Sequence, residues 1–314
     1  MRLSVVVPCF NEIAVLPALR ARLMAACQDA VGEDFEIVLV DDGSTDGTRR
    51  LIAAYHSEDP RVVGVLLSRN HGHQLALAAG LSFCRGERVL ILDADLQDPP
   101  ELLPQMMARM DQGFDVVFGR RRSRAGETRF KTGAAHLFYR VLRRFSTVEI
   151  AADAGDFRLL SRRVVDIVVK MPEEHRFLRG MISWIGFAQS PFDYDRAPRL
   201  AGETKYPLRK MLRLAADALT GFSTLPLRLA SYAGFAFAGM GVLLMIYVLA
   251  SWLAGAVVAG WTSLMATVLI IGSVQLIVVG ILGEYIGRLY MQSKARPLFI
   301  VDQLLRDEAE RGLR

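Results

Sequence analysis

Two carboxylates, Asp93 and Asp95, stand one residue apart directly after the apolar run Val89–Leu92. Such a short aliphatic run predicts a strand buried on both faces of a parallel sheet. The end of such a strand is where open α/β sheets bind their ligands. Carboxylates at positions i and i+2 of a turning backbone can converge on one hard divalent cation, which would hold a diphosphate. The alternative is that one or both only cap the following helix.

The third carboxylate of this segment, Asp98, fits the capping alternative better. In Asp98-Pro99-Pro100-Glu101, a side-chain acceptor precedes two prolines and is followed three residues later by a glutamate. This arrangement is typical of a helix N-terminus. Because Asp93 and Asp95 come too early for that cap, we predict a metal and phosphate role for them and a structural role for Asp98.

The elements that must position these residues form a regular alternation along the first 120 residues. Strands are predicted at 3–7, 36–40, 62–67, 89–93 and 115–119, and helices at 14–30, 48–56 and 75–84. This βαβαβαβαβ order predicts an α/β fold with a doubly wound, mainly parallel sheet. Polar residues cluster in the segments that leave the strand ends, as a nucleotide site at that edge of the sheet requires.

These segments contain candidate nucleotide ligands. Asp41 or Asp42 could accept a hydrogen bond from a base, Glu12 could do the same, and Phe10 could pack against a base or ribose. Helix capping is the alternative for an aspartate after a strand. Neither a Gly-x-Gly-x-x-Gly turn after the first strand nor a P-loop motif occurs. The phosphates would therefore depend on a metal and on side chains such as Arg120.

Four segments, in this order and spacing, resemble family-2 inverting glycosyltransferases of the GT-A fold. They are PCFNE at 8–12, VDDGSTDGT at 40–48, NHG at 70–72 with Ala76, Leu77 and Gly80, and DADLQDPP at 93–100. The resemblance implies a sugar-nucleotide donor. It implies that the nucleoside is contacted by Pro8, Phe10, Glu12, Asp41 and Asp42. It also implies that Mg²⁺ or Mn²⁺ and the diphosphate are bound by Asp93, Asp95 and Gln97.

The segment AGDFRLLSRR at 154–163 resembles one branch of that family, the polyprenyl-phosphate glycosyltransferases. The branch includes dolichol-phosphate mannose synthases and bacterial undecaprenyl-phosphate sugar transferases, and Asp156 falls at its acceptor-side carboxylate. A phosphate monoester has a second pKa of about 6, so at pH 7 the acceptor is largely ionised and needs little help from a base. We therefore expect Asp156 to orient the acceptor or to act as a weak base. The alternative is a surface ion pair with Arg158.

Three cations are candidates to bind the acceptor phosphate, namely Arg176, Arg199 and Lys205. Arginine can bind a phosphate through two parallel hydrogen bonds, and lysine acts as a point charge. The segment 199–206 also matches the branch pattern, which favours Arg199 and Lys205 over Arg176. A solvated surface position is the alternative for each.

Amphipathic and apolar segments predict attachment to a membrane bilayer. Residues 128–145 and 206–222 form predicted helices with large apolar residues on one face and cations on the other. This pattern is typical of helices that lie in an anionic membrane surface, although ordinary packing on the sheet is the alternative for the first. No Asp, Glu, Lys or Arg occurs between Leu229 and Gly283. That length accommodates two spans of about 20 residues, predicted at 229–254 and 262–285.

The basic residues set the expected orientation of this hairpin. Lysines and arginines precede the first span and follow the second, whereas the turn at 255–261 has none, so both ends are predicted to be cytoplasmic. The predicted organisation is a catalytic domain at 1–228, a transmembrane hairpin at 229–288 and a cytoplasmic tail at 289–314 with a short strand at 298–301. The expected location is a bacterial inner membrane, with no secretory signal peptide at the N-terminus.

Other sequence features bear on partners. The net charge of +5 is modest, and we expect no nucleic-acid partner. Cys9, Cys27 and Cys84 lie far apart without metal-site spacing, which agrees with a reducing compartment. Gly283 and Gly287 form a small-residue packing pattern that would suit a homo-oligomer.

These observations predict a membrane-anchored inverting transferase that moves a sugar from a nucleotide donor to a polyprenyl phosphate. UDP-glucose and undecaprenyl phosphate are the favoured substrates. Mannose and a modified aminopentose stay open, because sugar selection depends on the shape of a pocket. A processive polysaccharide synthase is one rival, but the Gln-x-x-Arg-Trp segment by which such enzymes resemble one another does not occur. An inert membrane adaptor is the other, and the intact Asp93, Asp95 and Asp156 argue against it.

Overall fold

The computed structural model describes residues 1–121, 154–174, 176–195, 225–255 and 260–307. The predicted interface helices at 128–145 and 206–222, together with Arg199 and Lys205, lie outside the described residues. The chain divides into two compact units. The first comprises Met1–Arg143, Val148–Pro207 and Pro297–Arg314, and the second comprises Arg144–Thr147 and Leu208–Arg296.

The first unit is a sheet flanked by helices. Its strands are β1 (Leu3–Cys9), β2 (Phe35–Asp41), β3 (Val62–Leu67), β4 (Arg88–Ile91), β5 (Val116–Arg121), β6 (Ala154–Ser161), β7 (Gln189–Tyr194) and β8 (Val301–Leu305). Its helices are α1 (Leu16–Val31), α2 (Thr48–Glu58), α3 (His73–Phe83), α4 (Leu103–Met110), α5 (Arg162–Lys170) and α6 (Leu178–Trp184). The strand order is β7-β5-β6-β4-β1-β2-β3-β8. The GT-A type of α/β fold predicted from the sequence is confirmed.

The strands β1 to β4 are parallel neighbours, and β5 pairs in parallel with β7. Two strands run against this direction. β6 lies antiparallel between β4 and β5, and β8 lies antiparallel to β3 at the sheet edge. Strands β6 and β7 were not predicted from the sequence, and the last strand begins three residues later than predicted.

Apolar runs explain the centre of the sheet. Every residue of β1, β2 and β3 is buried, as expected of strands covered on both faces. Helix α3 packs closely on β1 and β2 because Gly80 has no side chain. A Cβ atom at Gly80 would lie 2.3 Å from Cγ1 of Val6 and 2.9 Å from Cγ2 of Val40. This close approach holds the second half of α3 against β1 and β2.

The second unit contains two long helices, α7 (Leu225–Leu253) and α8 (Trp261–Ser293). Their apolar stretches, Leu229–Ser251 and Ile270–Ser293, have mean hydropathies of 2.1 and 1.8 and are not buried in the protein. At 1.5 Å per residue, a helix of this length matches a hydrocarbon layer of about 30 Å. Both helices are therefore candidate membrane spans, as the sequence predicts.

We expect Gly80→Ala to destabilise the first unit by about 1–2 kcal/mol, because overpacking against Val6 outweighs the higher helix propensity of alanine. A unit of this size should then lose about 3–6 °C in Tm. Unfolding in detergent can be followed with a thiol-reactive dye, since Cys9, Cys27 and Cys84 are free and buried in this unit. The double variant with Val6→Ala should lose less than the sum of the two single losses. Additive losses would contradict the close contact.

Candidate active site

Parallel pairing brings the segments that follow β1, β2, β3 and β4 to one edge of the sheet. The first two segments are tied together by side chains. Asn11 receives the backbone N–H of Thr45 on its Oδ1 at 2.8 Å and donates its own N–H to Oγ of Ser44 at 3.0 Å. The N–H of Glu12 donates to Oγ1 of Thr48 at 2.9 Å. Asn11 has a φ of 56°, a left-handed conformation that asparagine tolerates. These hydrogen bonds hold the VDDGSTDGT segment against the segment that follows β1.

The two aspartates after β2 make different contacts. Asp42 accepts hydrogen bonds from the backbone N–H groups of His71 at 2.7 Å and Gly72 at 3.0 Å, so it is linked to the segment after β3. Burial raises the pKa of Asp42, and these two bonds oppose that shift. Asp41 accepts the N–H of Ser44 on Oδ1 at 3.2 Å, and its buried Oδ2 has no hydrogen-bond partner among the described residues. Asp41 therefore retains an acceptor for a ligand.

The other predicted nucleoside contacts lie on the same edge. Phe10, at the end of β1, is 42% exposed, which suits packing against a base. Pro8 is buried within β1 opposite Val40, and Glu12 is half-buried in the segment that follows. The structure brings these residues together with Asp41, and their contacts with a nucleoside stay predictions.

Polar and apolar residues alternate in the segment after β4. Asp93, Asp95 and Gln97 are half-buried, and Ala94 and Leu96 between them are buried. Oδ1 of Asp95 accepts the backbone N–H of Gln97 at 3.1 Å. Leu96 has a φ of 58°, which is unusual for a residue with a branched side chain and is found mainly where function requires a particular backbone geometry. The three predicted metal and diphosphate ligands therefore share one surface.

Asp98 differs from its prediction. Its side chain is buried and accepts a hydrogen bond from the hydroxyl of Tyr194 at 2.5 Å. The following 3₁₀ turn, Pro100–Leu102, begins after Pro99, and no side chain caps it. The predicted capping role is wrong because a tyrosine 96 positions away supplies a partner that local sequence does not reveal.

Strand β6 places Asp156 beside the end of β4. Ile91 of β4 pairs with Arg158 of β6, and the strands run antiparallel, so residues just after Ile91 adjoin residues just before Arg158. Asp156 is only 6% exposed. The surface ion pair with Arg158 is not formed, since Nε of Arg158 donates to the carbonyl of Gly155 at 3.2 Å.

A cluster of polar side chains surrounds Asp156. Arg179 of α6 donates two hydrogen bonds to the carboxylate, at 2.6 and 3.1 Å. Nε2 of His73 lies 3.1 Å from Oδ2 of Asp156 and 3.5 Å from Oδ1 of Asp93. Nε2 of Gln74 donates to the same oxygen of Asp156 at 3.4 Å. We refer to Asp156, Arg179, His73, Gln74 and Asp93 as the Asp156 cluster.

The electrostatics of the cluster differ between its two carboxylates. Burial disfavours the charged form of Asp156, but the charge of Arg179 and the hydrogen bonds from His73 and Arg179 together hold its pKa well below the ordinary value. Burial raises the pKa of Asp93 to about 6, and His73 opposes that shift. Burial likewise opposes protonation of His73, but the bond to Asp156 and both negative charges raise its pKa. Asp156 is therefore a fixed anion and a poor proton acceptor.

The cluster includes a possible metal environment. The ligating atoms of His73, Asp93 and Asp156 all lie within 4.8 Å of one another. Oδ1 of Asp93 is buried and has no hydrogen-bond partner among the described residues. A bound cation could be coordinated by this oxygen. Carboxylate oxygens suit hard divalent ions. Since Asp156 is already neutralised by Arg179, Asp93 is the member of this trio that best fits a metal.

The sequence analysis did not single out Arg179 or His73. Arg176, which it named, is 8% exposed, and its guanidinium donates to the carbonyls of Val168 at 3.2 Å and Met171 at 2.5 Å. These carbonyls lie at the C-terminus of α5, where backbone acceptors lack helical partners. This contact does not favour the predicted phosphate role of Arg176. The available signals were the basic segment shared by Arg176 and Arg179, and the NHG motif next to His73.

Arg120 lies on β5 and makes two hydrogen bonds with Asp193 of the neighbouring β7, at 2.6 and 2.9 Å. The two residues are in register in the parallel pairing. The structure therefore places Arg120 in an exposed ion pair, and its contact with the donor phosphates stays a prediction.

Comparison with known families assigns this arrangement. Residues 4–168, more than half of the chain, match Glycosyl transferase family 2. The chain belongs to glycosyl transferase family 2. It is therefore a glycosyltransferase. Residues 225–289 match the GtrB C-terminal hairpin, so the two long helices also have a family counterpart.

Relatives of this family 2 glycosyltransferase align along nearly its whole length. An uncharacterized glycosyltransferase, YkcC, of Bacillus subtilis strain 168 is 44% identical over 96% of this chain and 93% of its own. The bactoprenol glucosyl transferase of Shigella phage SfV is 39% identical over 96% of this chain and 98% of its own. The crystal structure of S. aureus TarS 1–349 in complex with UDP-GlcNAc has a TM-score of 0.48 and 21% identity, covering 71% of this chain and 67% of that one.

We expect Arg179→Met to destabilise the protein by about 2–4 kcal/mol, because it leaves the buried charge of Asp156 without its main partner. Adding Asp156→Asn should recover most of that loss without restoring transfer, since the buried charge is then removed. Thermal unfolding with the thiol-reactive dye measures both. A double variant less stable than Arg179→Met would contradict the ion pair.

The same pair predicts a pH dependence. A carboxyl whose pKa is depressed in the folded state stabilises the protein above its unfolded pKa and loses that contribution as pH falls. We therefore expect the stability of Arg179→Met, in which the pKa of Asp156 rises towards or above its unfolded value, to fall less than that of the wild type as pH drops, because the folded variant then binds the proton at least as readily as the unfolded chain does. Tm measured from pH 7 to pH 4 checks this, and parallel curves would contradict it.

Proposed function

We propose that this enzyme transfers glucose from UDP-glucose to undecaprenyl phosphate, with inversion, at the cytoplasmic face of a bacterial inner membrane. The observation that carries the proposal is the Asp156 cluster, in which a donor-side aspartate and an acceptor-side cation lie around the buried carboxylate of Asp156. Similarity to a bactoprenol glucosyl transferase along nearly the whole chain supports the sugar and the lipid.

The donor half is proposed on the edge formed by β1, β2 and β4. Phe10 offers an exposed ring to the base, and Oδ2 of Asp41 offers a buried acceptor to a base N–H. Asp42 holds the segment after β3 in place beneath the nucleoside. Pro8 and Glu12 complete this surface.

The diphosphate would be bound next to the nucleoside by Asp93, Asp95 and Gln97 with Mg²⁺ or Mn²⁺. When bound, the metal neutralises charge on the leaving nucleoside diphosphate. The buried Oδ1 of Asp93, which has no hydrogen-bond partner among the described residues, supports this assignment. Arg120 would contact the phosphates only after release from Asp193.

The acceptor half is proposed around Arg179. A phosphate monoester is already ionised at neutral pH, so the reaction needs a correctly placed nucleophile more than it needs a base. Asp156 is held as an anion and fixes Arg179 and His73 beside Asp93. We propose that Arg179, with His73 beside it, attracts the lipid phosphate towards the anomeric carbon, together with Arg199 and Lys205. Asp156 then acts by orientation.

The membrane arrangement follows from the chain path. Both long helices are candidate spans, and β8, which follows them, belongs to the same sheet as β1 to β7. The segments before and after the hairpin must therefore share a compartment, which an even number of spans allows. With the positive-inside pattern, this supports cytoplasmic termini. The domain boundaries at 228 and 288 stay part of the proposal. Interface helices at 128–145 and 206–222 and a homo-oligomer remain parts of the proposal.

A donor panel tests the substrates. Purified protein with undecaprenyl phosphate and Mg²⁺ or Mn²⁺ should form a β-linked hexosyl lipid from UDP-glucose, detected by mass spectrometry of the lipid extract. The panel includes donors of mannose and of an aminopentose, and chelation of the metal should abolish transfer. A product from another donor alone would replace glucose, and a water-soluble polymer would favour a polysaccharide synthase.

We expect Asp95→Asn to lower transfer on the order of 100-fold or more, because several kcal/mol of charge stabilisation depend on the metal. The matched control is Asp29→Asn, an exposed position on α1 remote from the strand ends, which should retain wild-type transfer. Radiolabelled sugar incorporation into lipid measures both. Undiminished transfer by Asp95→Asn would exclude a metal role for this residue.

A further inference from the structure

The C-terminal tail is anchored to the sheet by a buried ion pair. Nη2 of Arg306, just after β8, donates to Oε2 of Glu36 at 2.9 Å and to the carbonyl of Phe83 at 2.8 Å. Glu36 is 1% exposed, and its Oε1 accepts hydrogen bonds from Oγ of Ser4 and the N–H of Arg85, both at 2.6 Å. Removing either partner would leave a buried charge, so this pair fixes the position of β8 along the sheet.

The residue just before β8 contacts the segment that follows β3. The N–H of Ser68 donates to the carbonyl of Ile300 at 3.0 Å. The N–H of Ile300 lies 3.4 Å from Nε2 of His71, with the ring nitrogen as acceptor.

His71 in turn belongs to the donor site through its backbone. Its N–H and that of Gly72 hold the two carboxylate oxygens of Asp42, at 2.7 and 3.0 Å. The same segment packs on the turn after Asp42, since a Cβ atom at Gly43 would lie 2.6 Å from the backbone of Arg69. A displacement of His71 would therefore displace Asp42 and its neighbour Asp41.

We propose that His71 is a positioning residue for the nucleotide donor, held in place by the backbone N–H of Ile300. The tail that follows α8 thereby sets the geometry of the donor site. Only six residues, 294–299, separate the end of α8 from Ile300. The proposal gives a role to the central residue of the NHG motif, and it rests on the proposed contact of Asp41 and Asp42 with the nucleoside.

Measurements of KM and Kd on His71 variants distinguish binding of the nucleotide donor from binding of the lipid. His71→Ala should raise the KM for the nucleotide sugar and the Kd for UDP about three- to tenfold, the effect of one net hydrogen bond. The KM for the lipid and kcat should stay within about twofold. His71→Gln, whose amide oxygen can accept from Ile300, should restore donor binding. Equal changes in both KM values, or failure of the glutamine variant to restore binding, would overturn the proposal.

Variants at the other end of the contact provide the matched control. Ile300→Pro removes the N–H and should reproduce the donor defect of His71→Ala, whereas Ile300→Ala keeps the N–H and should bind UDP as the wild type does. The double variant His71→Ala with Ile300→Pro should bind no more weakly than either single variant, and additive losses would contradict the shared contact.

The proposed function fails independently of this inference. A wild type that transfers from a different nucleotide sugar in the donor panel contradicts UDP-glucose, and the variants are then compared with that donor. If His71→Ala binds UDP as tightly as the wild type does, only the positioning role is contradicted. A wild type that binds no nucleotide contradicts both.

Discussion

A buried carboxylate must be neutralised, and this requirement at Asp156 organises the proposed acceptor side of the enzyme. An isolated ionised carboxylate in a protein interior is costly unless it is paired and hydrogen-bonded. Arg179 and His73 supply the pairing, and Gln74 connects the helices that carry them. Its Nε2 donates to Asp156, and its Oε1 accepts the N–H of Leu178, the first residue of α6. One buried charge thereby joins the start of α3 to the start of α6.

The proposed donor side is held together by hydrogen bonds to the backbone and not by one buried charge. Its segments are held by hydrogen bonds between side chains and backbone amides, as in the contacts of Asn11 with Thr45 and of Asp42 with His71 and Gly72. Such bonds set backbone geometry before a ligand arrives, which lowers the ordering cost of binding. His73 lies between Asp93 and Asp156 and connects the two halves. The proposed donor and acceptor positions are therefore joined through His73 in the first unit.

The sequence predicted those features that local pattern determines. Apolar runs fixed the parallel strands, and the strand-end rule located Asp93, Asp95 and the Asp41–Asp42 pair. Strand β6 was not predicted, because its polar residues, Asp156 among them, obscure the apolar pattern of a strand. Their partners come from elsewhere in the fold, 23 positions along the chain in the case of Arg179. The predicted cap at Asp98 is wrong for the same reason, because its partner, Tyr194, lies 96 positions along the chain.

Local sequence pattern also could not show which of Arg176 and Arg179 contacts Asp156. Both lie in one basic segment, but α6 begins at Leu178, so only Arg179 is carried on that helix. Arg176 precedes the helix and satisfies the free carbonyls at the end of α5. Which arginine reaches a site thus depends on where a helix starts, and sequence patterns place helix ends only to within a few residues.

The position of the hairpin in the chain has a consequence for assembly. The two candidate spans are inserted between β7 and β8 of one sheet, so the edge strand β3 is covered only by a segment made after both spans. An uncovered edge strand presents unpaired backbone groups, and β8 with the Arg306–Glu36 pair removes that exposure. Because the tail also contacts His71, the proposed donor site acquires this contact only after both candidate spans have been synthesised. The order of the chain therefore places the last support of the proposed site after the candidate membrane hairpin.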